Sequence, residues 1–520
     1  MLEQVYGVLL DTMGIQRYVF SSNNLKENIG ASQLVDDIYD SHLREVIKKI
    51  FHITDEHFYT TWQDSPHLLN IRQNSAPFEI GYIGGGNALL LFREENKAKE
   101  FIKEWSMRLL VHCPGIIPAC AIQQVDFGHF SDSLSELFKK LALRKGSFVP
   151  ETIIRRHGIT AECSRTGFSA EVFCEKLPAE GQDYISSVSH AKIMAAEEAD
   201  RRLKDILKES GLDKEYTFTD LLDKLGQSHG EDSHIAIVHI DGNDTAQRFM
   251  NQRSLEDIRR LSKTFKAATF EAFKKMLEEV VKNIENFDKI GLKLGQSHNK
   301  TILPLRPIII GGDDITFVSE GRLGIWLAKI FLEHFSKQTV SDSEPISACA
   351  GIAITRTKYP FYRGYRLSEE LTRIAKNSRK KENDNGSWID FHFAYGGFSG
   401  TLGDIRREQY QSCDGTRLIL RPYKIDDFNE LLIGVAELKG KGGSKFPRSK
   451  LMDLRQVLYL SEAEQELFLR ELMARRLKLP SYTRKGFSGD ELVLNRETPY
   501  LDMIEIMDFY PEFALPGRKI

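Results

Sequence analysis

The sequence predicts an α+β protein: two copies of one strand-and-helix unit, joined by a helical linker and followed by a helical C-terminal domain. Three observations predict it. An apolar strand ending in aspartate occurs twice, as VYGVLLDTMGIQRYVF (5–20) with Asp11 and as IAIVHIDGNDTAQRFM (235–250) with Asp241. Each copy continues to a glycine-rich hairpin, IGYIGGGNALLLF (80–92) and RPIIIGGDDITFV (306–318). A third strand closes each copy, IIPACAIQQV (116–125) and PISACAGIAI (345–354).

The strand assignments rest on β-branched and apolar runs bounded by turn residues. In the second hairpin such runs flank Gly311, Gly312, Asp313 and Asp314. That reads as a tight turn, where positive φ is cheap for Gly and tolerable for Asp. Between hairpin and third strand, KAKEFIKEWSMRLL (97–110) and GIWLAKIFLEHF (324–335) have helical apolar spacing. The intervals agree too. Asp11 to Gly86 is 75 residues and Asp241 to Asp313 is 72; Gly86 to Cys120 is 34 and Asp313 to Cys349 is 36. Such recurrence marks a duplicated unit. Its order of strand, helices, hairpin, helix and strand is the ferredoxin-like or palm plan, an antiparallel-rich sheet backed by helices. The expected division is 1–150 for the first unit, 151–230 for the linker, 231–400 for the second unit and 401–520 for the C-terminal domain.

Bulk properties narrow the field. At 520 residues the chain exceeds one core. Apolar residues at 41% and charged residues at 28% make an ordinary soluble composition. A net charge of −3 provides no global basic field, although local patches stay open. The six cysteines contain no C-x-x-C pair, which favours a reducing compartment. The start, MLEQVYGVLLDTMG, lacks a basic region, and no apolar run approaches membrane length. A cytoplasmic protein without a membrane partner is expected.

The chemistry concentrates at the second hairpin. The first copy has Gly86-Asn87 where the second has Asp313-Asp314, so the turn can be built without carboxylates. In this plan the end of the first strand lies beside the hairpin, bringing Asp241 to Asp313 and Asp314. Three carboxylates at one sheet edge suit Mg²⁺ or Mn²⁺. Metals held there neutralise a triphosphate and activate a hydroxyl. The competing reading is that these residues are solvated turn formers; the strand-end Asp241 and the uncharged sister copy favour metal.

The G-G-D-D hairpin, after a strand ending in D-G-N-D, resembles the palm of nucleotide cyclases and polymerases. It is most similar to the large polymerase–cyclase subunit of type III CRISPR effector complexes, which carries a degenerate first palm and a second palm with the hairpin. DTMGIQRYVF (11–20), LKENIGASQLV (25–35), CSRTGFSAEVFC (163–174) and KYPFYRGYRLSEELTRIAKNSRKK (358–381) extend the resemblance over most of residues 1–400. It implies that Asp241, the Gly242 carbonyl, Asp313 and Asp314 hold two divalent metals over ATP. It implies a product, cyclic oligoadenylate, that signals in antiviral defence. Nucleotide contact then falls to Gly242, Gly311 and Gly312. Implied partners are nucleoside triphosphates, guide or target RNA with other effector subunits, or a second copy of the chain. Two alternatives stay open: a weakly catalytic NTP- or RNA-binding scaffold, and a GTP-using cyclic dinucleotide synthase.

The chain also departs from that family. Asn243 stands where a second Asp is expected, with Asp244 next to it. No His-Asp dipeptide exists to start a nuclease domain. Of a four-cysteine zinc spacer, Cys163 and Cys174 remain, with His157 nearby; buried thiols are the expectation. Cys120 and Cys349 are read as matching core positions.

Phosphates need cations. In RLSEELTRIAKNSRKKEN (366–383), Ser368 is read as an N-cap, with Arg373, Lys376 and Lys380 on one face toward phosphates; a solvated basic face is the alternative. In the first unit, Gly30-Ala31-Ser32 is read as a helix start, and Ser32 as a phosphate contact or simple cap. Residues 185–225 read as connecting helix, and 295–300 as a surface insertion. QVLYLSEAEQELFLRELMARRL (456–477) carries a Ser461-x-x-Glu464 capping box. ELKGKGGSKFPRSK (437–450) lacks P-loop spacing and is read as a solvated linker.

Overall fold

The computed structural model describes residues 4–55, 57–73, 76–147, 158–177, 181–225, 227–228, 233–394, 400–441 and 446–516; His157 lies outside them. The first unit runs β1 (Gln4–Met13), α1 (Ile15–Val19), α2 (Leu25–Tyr39), β2 (Phe78–Gly84), β3 (Asn87–Phe92), α3 (Glu95–His112), β4 (Ile117–Asp126) and α4 (Phe130–Ser147). Its sheet has the order β2-β3-β1-β4, all antiparallel. A hairpin of β5 (Val172–Leu177) and β6 (Gly181–Ile185) then leads into α5 (Ser187–Glu209). The linker expected to be helical therefore contains a β-hairpin.

The second unit repeats the plan: β7 (His234–Gly242), α6 (Thr245–Met250), α7 (Leu255–Lys282), β8 (Leu305–Ile310), β9 (Asp314–Glu320), α8 (Gly324–Phe335), β10 (Ala348–Arg356), α9 (Phe361–Lys381) and β11 (Trp388–Ala394). Its sheet runs β8-β9-β7-β10, as in the first unit, then adds β11 parallel to β10 and the short β12 (Tyr423–Lys424). The excursion before β8 pairs Lys300–Ile302 with Tyr216–Thr217 of the linker, so it is a clasp as well as an insertion.

Registers fix the repeat residue by residue. Asp11 lies opposite Asn87 on one side and Ala119 on the other. Asp241 lies opposite Asp314 and Cys349. Cys349 thus matches Ala119. Cys120 sits opposite Leu10 and one residue out of step, on the other face of its sheet. Even the next helix agrees: Lys145, the sixteenth residue of α4, pairs with Asp11, and Lys376, the sixteenth of α9, pairs with Asp241.

The units embrace each other reciprocally. Arg259 of α7 is fully buried against the first sheet. It bonds the Gly81, Ile80 and Leu68 carbonyls and pairs with Glu79 at 2.8 Å. In return α2 packs against β8. Helix α2 begins at Leu25 under an Asn24 cap, so Gly30-Ala31-Ser32 is mid-helix. Gly30 is there for clearance: a Cβ would lie 1.6 Å from the Lys192 carbonyl of α5.

The C-terminal region supplies α10 (Leu402–Gln409), α11 (Ile425–Leu438), α12 (Arg448–Val457), α13 (Glu462–Ala474) and α14 (Tyr500–Met507). The Ser461/Glu464 capping box starts α13 as expected. Arg421, fully buried, ties this region together through Glu505 at 2.8 Å and lies over the rings of Phe391 and Tyr410. Cys163 and Cys174 share a small apolar cluster with Leu177, Ile185 and Ile193. Thr166 and Leu177 stand at the positions where a C-x-x-C repeat would place its second cysteines. Among the described residues no helix is long and apolar enough to cross a membrane.

Candidate functional site

The second hairpin and the end of β7 form one edge. Asp314 is the direct cross-strand partner of Asp241. The Gly242 amide donates to the Asp313 carbonyl at 2.9 Å, and the Gly311 amide to the Asp314 carbonyl at 2.8 Å. From behind, Thr269 of α7 donates to the Gly312 carbonyl at 2.8 Å. Neither Gly311 nor Gly312 has the positive φ expected of it. Their first-copy counterparts are Gly84 and Gly85, and the first-copy turn has positive φ at Gly85 and Gly86, 59° and 75°, as a type I′ turn needs. Asp313 replaces Gly86, and an L residue avoids that region. The second-copy glycines serve clearance instead. A Cβ on Gly311 would fall 1.8 Å from Asp314 Oδ1, and one on Gly242 would fall 2.9 Å from Asp313 Oδ2. At Gly312 it would meet nothing within 4 Å, so the tip is open.

Burial and crowding raise the proton affinity of Asp313 and Asp314. Burial first, then Asp313 and Asp241, push Asp314 up to about 7, with a smaller contribution from Asp36 of α2. Burial and then Asp241 raise Asp313. Negative charge at the hairpin exceeds what the neighbouring Lys376 offsets.

One cation is built in. Lys376 Nζ lies 2.7 Å from Asp241 Oδ2 and donates to the Gly242 carbonyl at 2.7 Å. It reaches there because α9 presses on the sheet at Gly351, where a Cβ would fall 2.1 Å from the Ser368 carbonyl. Thr372 locks that contact by donating to the His239 carbonyl at 2.9 Å. Ser368 is consequently buried mid-helix and bonds the Tyr365 carbonyl; α9 starts at Phe361, seven residues before the expected cap. Arg373 and Lys380 lie on the exposed side of α9, Arg373 facing Glu370 at 3.6 Å.

One neighbour, Arg379, was not among the cations expected from the sequence. Arg379, buried, pairs with Asp244. It sits in the same basic run as Lys376, three residues on, and spacing alone could have found it. Asn243 is turned inward, donating to Ser347 Oγ at 2.9 Å and accepting from Cys349 Sγ at 3.2 Å. Neither Asn243 nor Asp244 joins the carboxylate edge. Ser32 sits one helical turn before Asp36, whose charge reaches Asp314.

The donors fit a hard divalent cation. Three carboxylates and one carbonyl offer only oxygen, and Gly242 and Gly311 leave space that a side chain would fill. Among the described residues no three acidic, His or Cys side chains are already gathered as a cage; Lys376 holds Asp241 instead.

Residues 234–384 match the family model of the Cas10/Cmr2 second palm domain. A search of the curated proteins finds no significant match. Among solved structures, a Csm1–Csm4 cassette in complex with one ATP aligns over 98% of this chain and 70% of its own, at 13% identity and a TM-score of 0.57. Csm1 of T. onnurineus gives 98%, 70%, 13% and 0.54. A Csm1–Csm4 cassette in complex with cA4 gives 97%, 69%, 12% and 0.51. At such identities the likeness establishes the double-palm fold.

Proposed function

We propose that this Cas10-like chain, whose second palm is of the Cas10/Cmr2 family, is a metal-dependent nucleotidyltransferase converting ATP into cyclic oligoadenylate. The observation that carries it is Asp241 placed directly opposite Asp314, with Asp313 beside them on an open tip, in a palm that the first copy repeats without hairpin charge. Solved Csm1–Csm4 cassettes of the same fold hold ATP or cA4; the substrate assignment draws on them. The proposed units are residues 1–150 and 231–400 for the two palms, 151–230 for the linker and 401–520 for the C-terminal domain.

Asp241, the Gly242 carbonyl, Asp313 and Asp314 are assigned to two Mg²⁺ or Mn²⁺ ions, with Gly311 and Gly312 keeping the approach clear. Those ions, when bound, neutralise the triphosphate and make the attacking hydroxyl more acidic. The 3′-oxygen of one nucleotide bonds to the α-phosphorus of another, pyrophosphate leaves, and the hydroxyl proton passes to solvent. Lys376 releases Asp241 and turns its ammonium to the departing phosphates. Ser32 faces the second nucleotide from α2. A partner resembling Csm4 is proposed on the same structural basis.

A palm that only binds nucleotide is the second reading, because Lys376 already covers two of the four assigned ligands. Pyrophosphate release separates the two. Wild type with ATP and Mn²⁺ should release it continuously, at least a hundredfold faster than Asp313→Ala/Asp314→Ala. Tight ATP binding with equal background release from both would leave the binding palm. Faster release from GTP would transfer the assignment to a guanine substrate.

A further inference from the structure

The solvent face of α9 carries a row of cations that nucleotidyl transfer does not explain. Arg363, Arg366, Arg373, Lys380 and Lys381 are all exposed, and at 100° per residue they fall within about 100° of the helix surface. Arg363 to Lys380 spans about 25 Å at 1.5 Å per residue. Two acidic residues interrupt the run: Glu370 lies 3.6 Å from Arg373, and Glu369 lies within the field of Arg366 and Arg373. Among the described residues Arg363, Arg366, Lys380 and Lys381 form no salt bridge. At the end far from the carboxylates, the half-buried ring of Tyr362 has two guanidinium groups near it, Arg363 at 5.8 Å and Arg366 at 5.9 Å from its centroid, and Arg363 Nε donates to its hydroxyl at 3.0 Å. Half-buried Tyr359 and exposed Lys358 precede it.

Five cations against two carboxylates on one helix face are self-repelling, and on a chain of net charge −3 the excess is not a by-product of overall basicity. Its complement is a linear anion with regularly repeated charge. The adjoining tyrosines offer flat faces that a base can stack on, which an acidic protein surface would not use. We propose that the outer face of α9 is a docking rail for a single-stranded polynucleotide. Phosphates follow the Arg363-to-Lys380 line, and a base stacks at Tyr362. The rail stands on surface charge and does not depend on the nucleotidyl-transfer reading.

The test is anisotropy of a labelled 20-nucleotide single-stranded RNA with the full chain in EDTA, across a salt series. Wild type should bind, with affinity falling steeply with salt. Arg363→Gln/Arg366→Gln should weaken binding at least tenfold. It should also flatten the log–log salt slope by about 1.4, since each lost contact to single strands removes about 0.7. Arg363→Lys/Arg366→Lys should retain the slope. Tyr362→Ala should weaken binding several-fold at unchanged slope. Asp313→Ala/Asp314→Ala should bind as wild type, which separates this proposal from the catalytic one. Circular dichroism verifies folding of each variant. No binding by wild type at low salt, undiminished binding by the double Gln variant, or equal competition by polyglutamate would overturn the rail.

Discussion

On the proposed assignment, Asp314 links proton and cation binding at one carboxyl. Its affinity for a proton is raised to about 7 by burial, then by Asp313 and Asp241. The unfolded chain releases that proton near 4. The group's contribution to the metal-free fold is therefore complete below about 4 and lost as the pH rises through about 7. A divalent cation bound there would displace the proton, so apparent Mn²⁺ affinity should climb from pH 6 to about 8 and then level off. Thermal shift with and without Mn²⁺ across that range checks it. A gain independent of pH would mean the carboxyl is already ionised. Which residues crowd together was readable from the Asp-Asp pair and the strand-end Asp241. That Lys376 rather than Arg373 or Lys380 reaches Asp241 was not, because it depends on where α9 meets Gly351.

Single glycines set how elements approach. Gly30 lets α2 and α5 cross with no room for a methyl group, a Cβ there lying 1.6 Å from the Lys192 carbonyl. Gly30→Ala should destabilise by about 1–3 kcal/mol or more, the usual range for overpacking, despite alanine's better helix propensity. Urea midpoints would show it, and an unchanged or raised midpoint would contradict the crossing. The elements themselves were legible: both hairpins, both following helices and all three repeated strands lie where apolar pattern and spacing put them. Helix starts were less so. A Gly-Ala-Ser run looks like a cap but is a packing notch, and Ser368 looks like a cap but is a buried contact. Local chemistry cannot distinguish these, since the partner helix or sheet decides. The Cys120–Cys349 match slipped for a related reason. Interval counting tolerates a residue or two, whereas a ladder tolerates none.

At the scale of the molecule the two palms are one structure. Arg259 leaves its own palm and is buried among four backbone carbonyls and Glu79 of the other. Removing it strands the Glu79 carboxylate, so Arg259→Met should cost about 3–5 kcal/mol, as for other broken buried pairs. Calorimetry should also show the palms separating into two transitions; one transition at the wild-type midpoint would contradict the weld. The first palm, without hairpin charge, keeps its Asp11–Lys145 pair, the counterpart of Asp241–Lys376. That pair belongs to the shared frame, and Asp313 and Asp314 are what distinguish the second copy. The most direct measurement is therefore the mass of the products formed from ATP and Mg²⁺ or Mn²⁺ by wild type and by Asp313→Ala/Asp314→Ala. The account predicts rings of adenylate units, lighter by one pyrophosphate than linear chains that keep their 5′-triphosphate, from wild type alone. Linear products only, or the same products from both proteins, would contradict it.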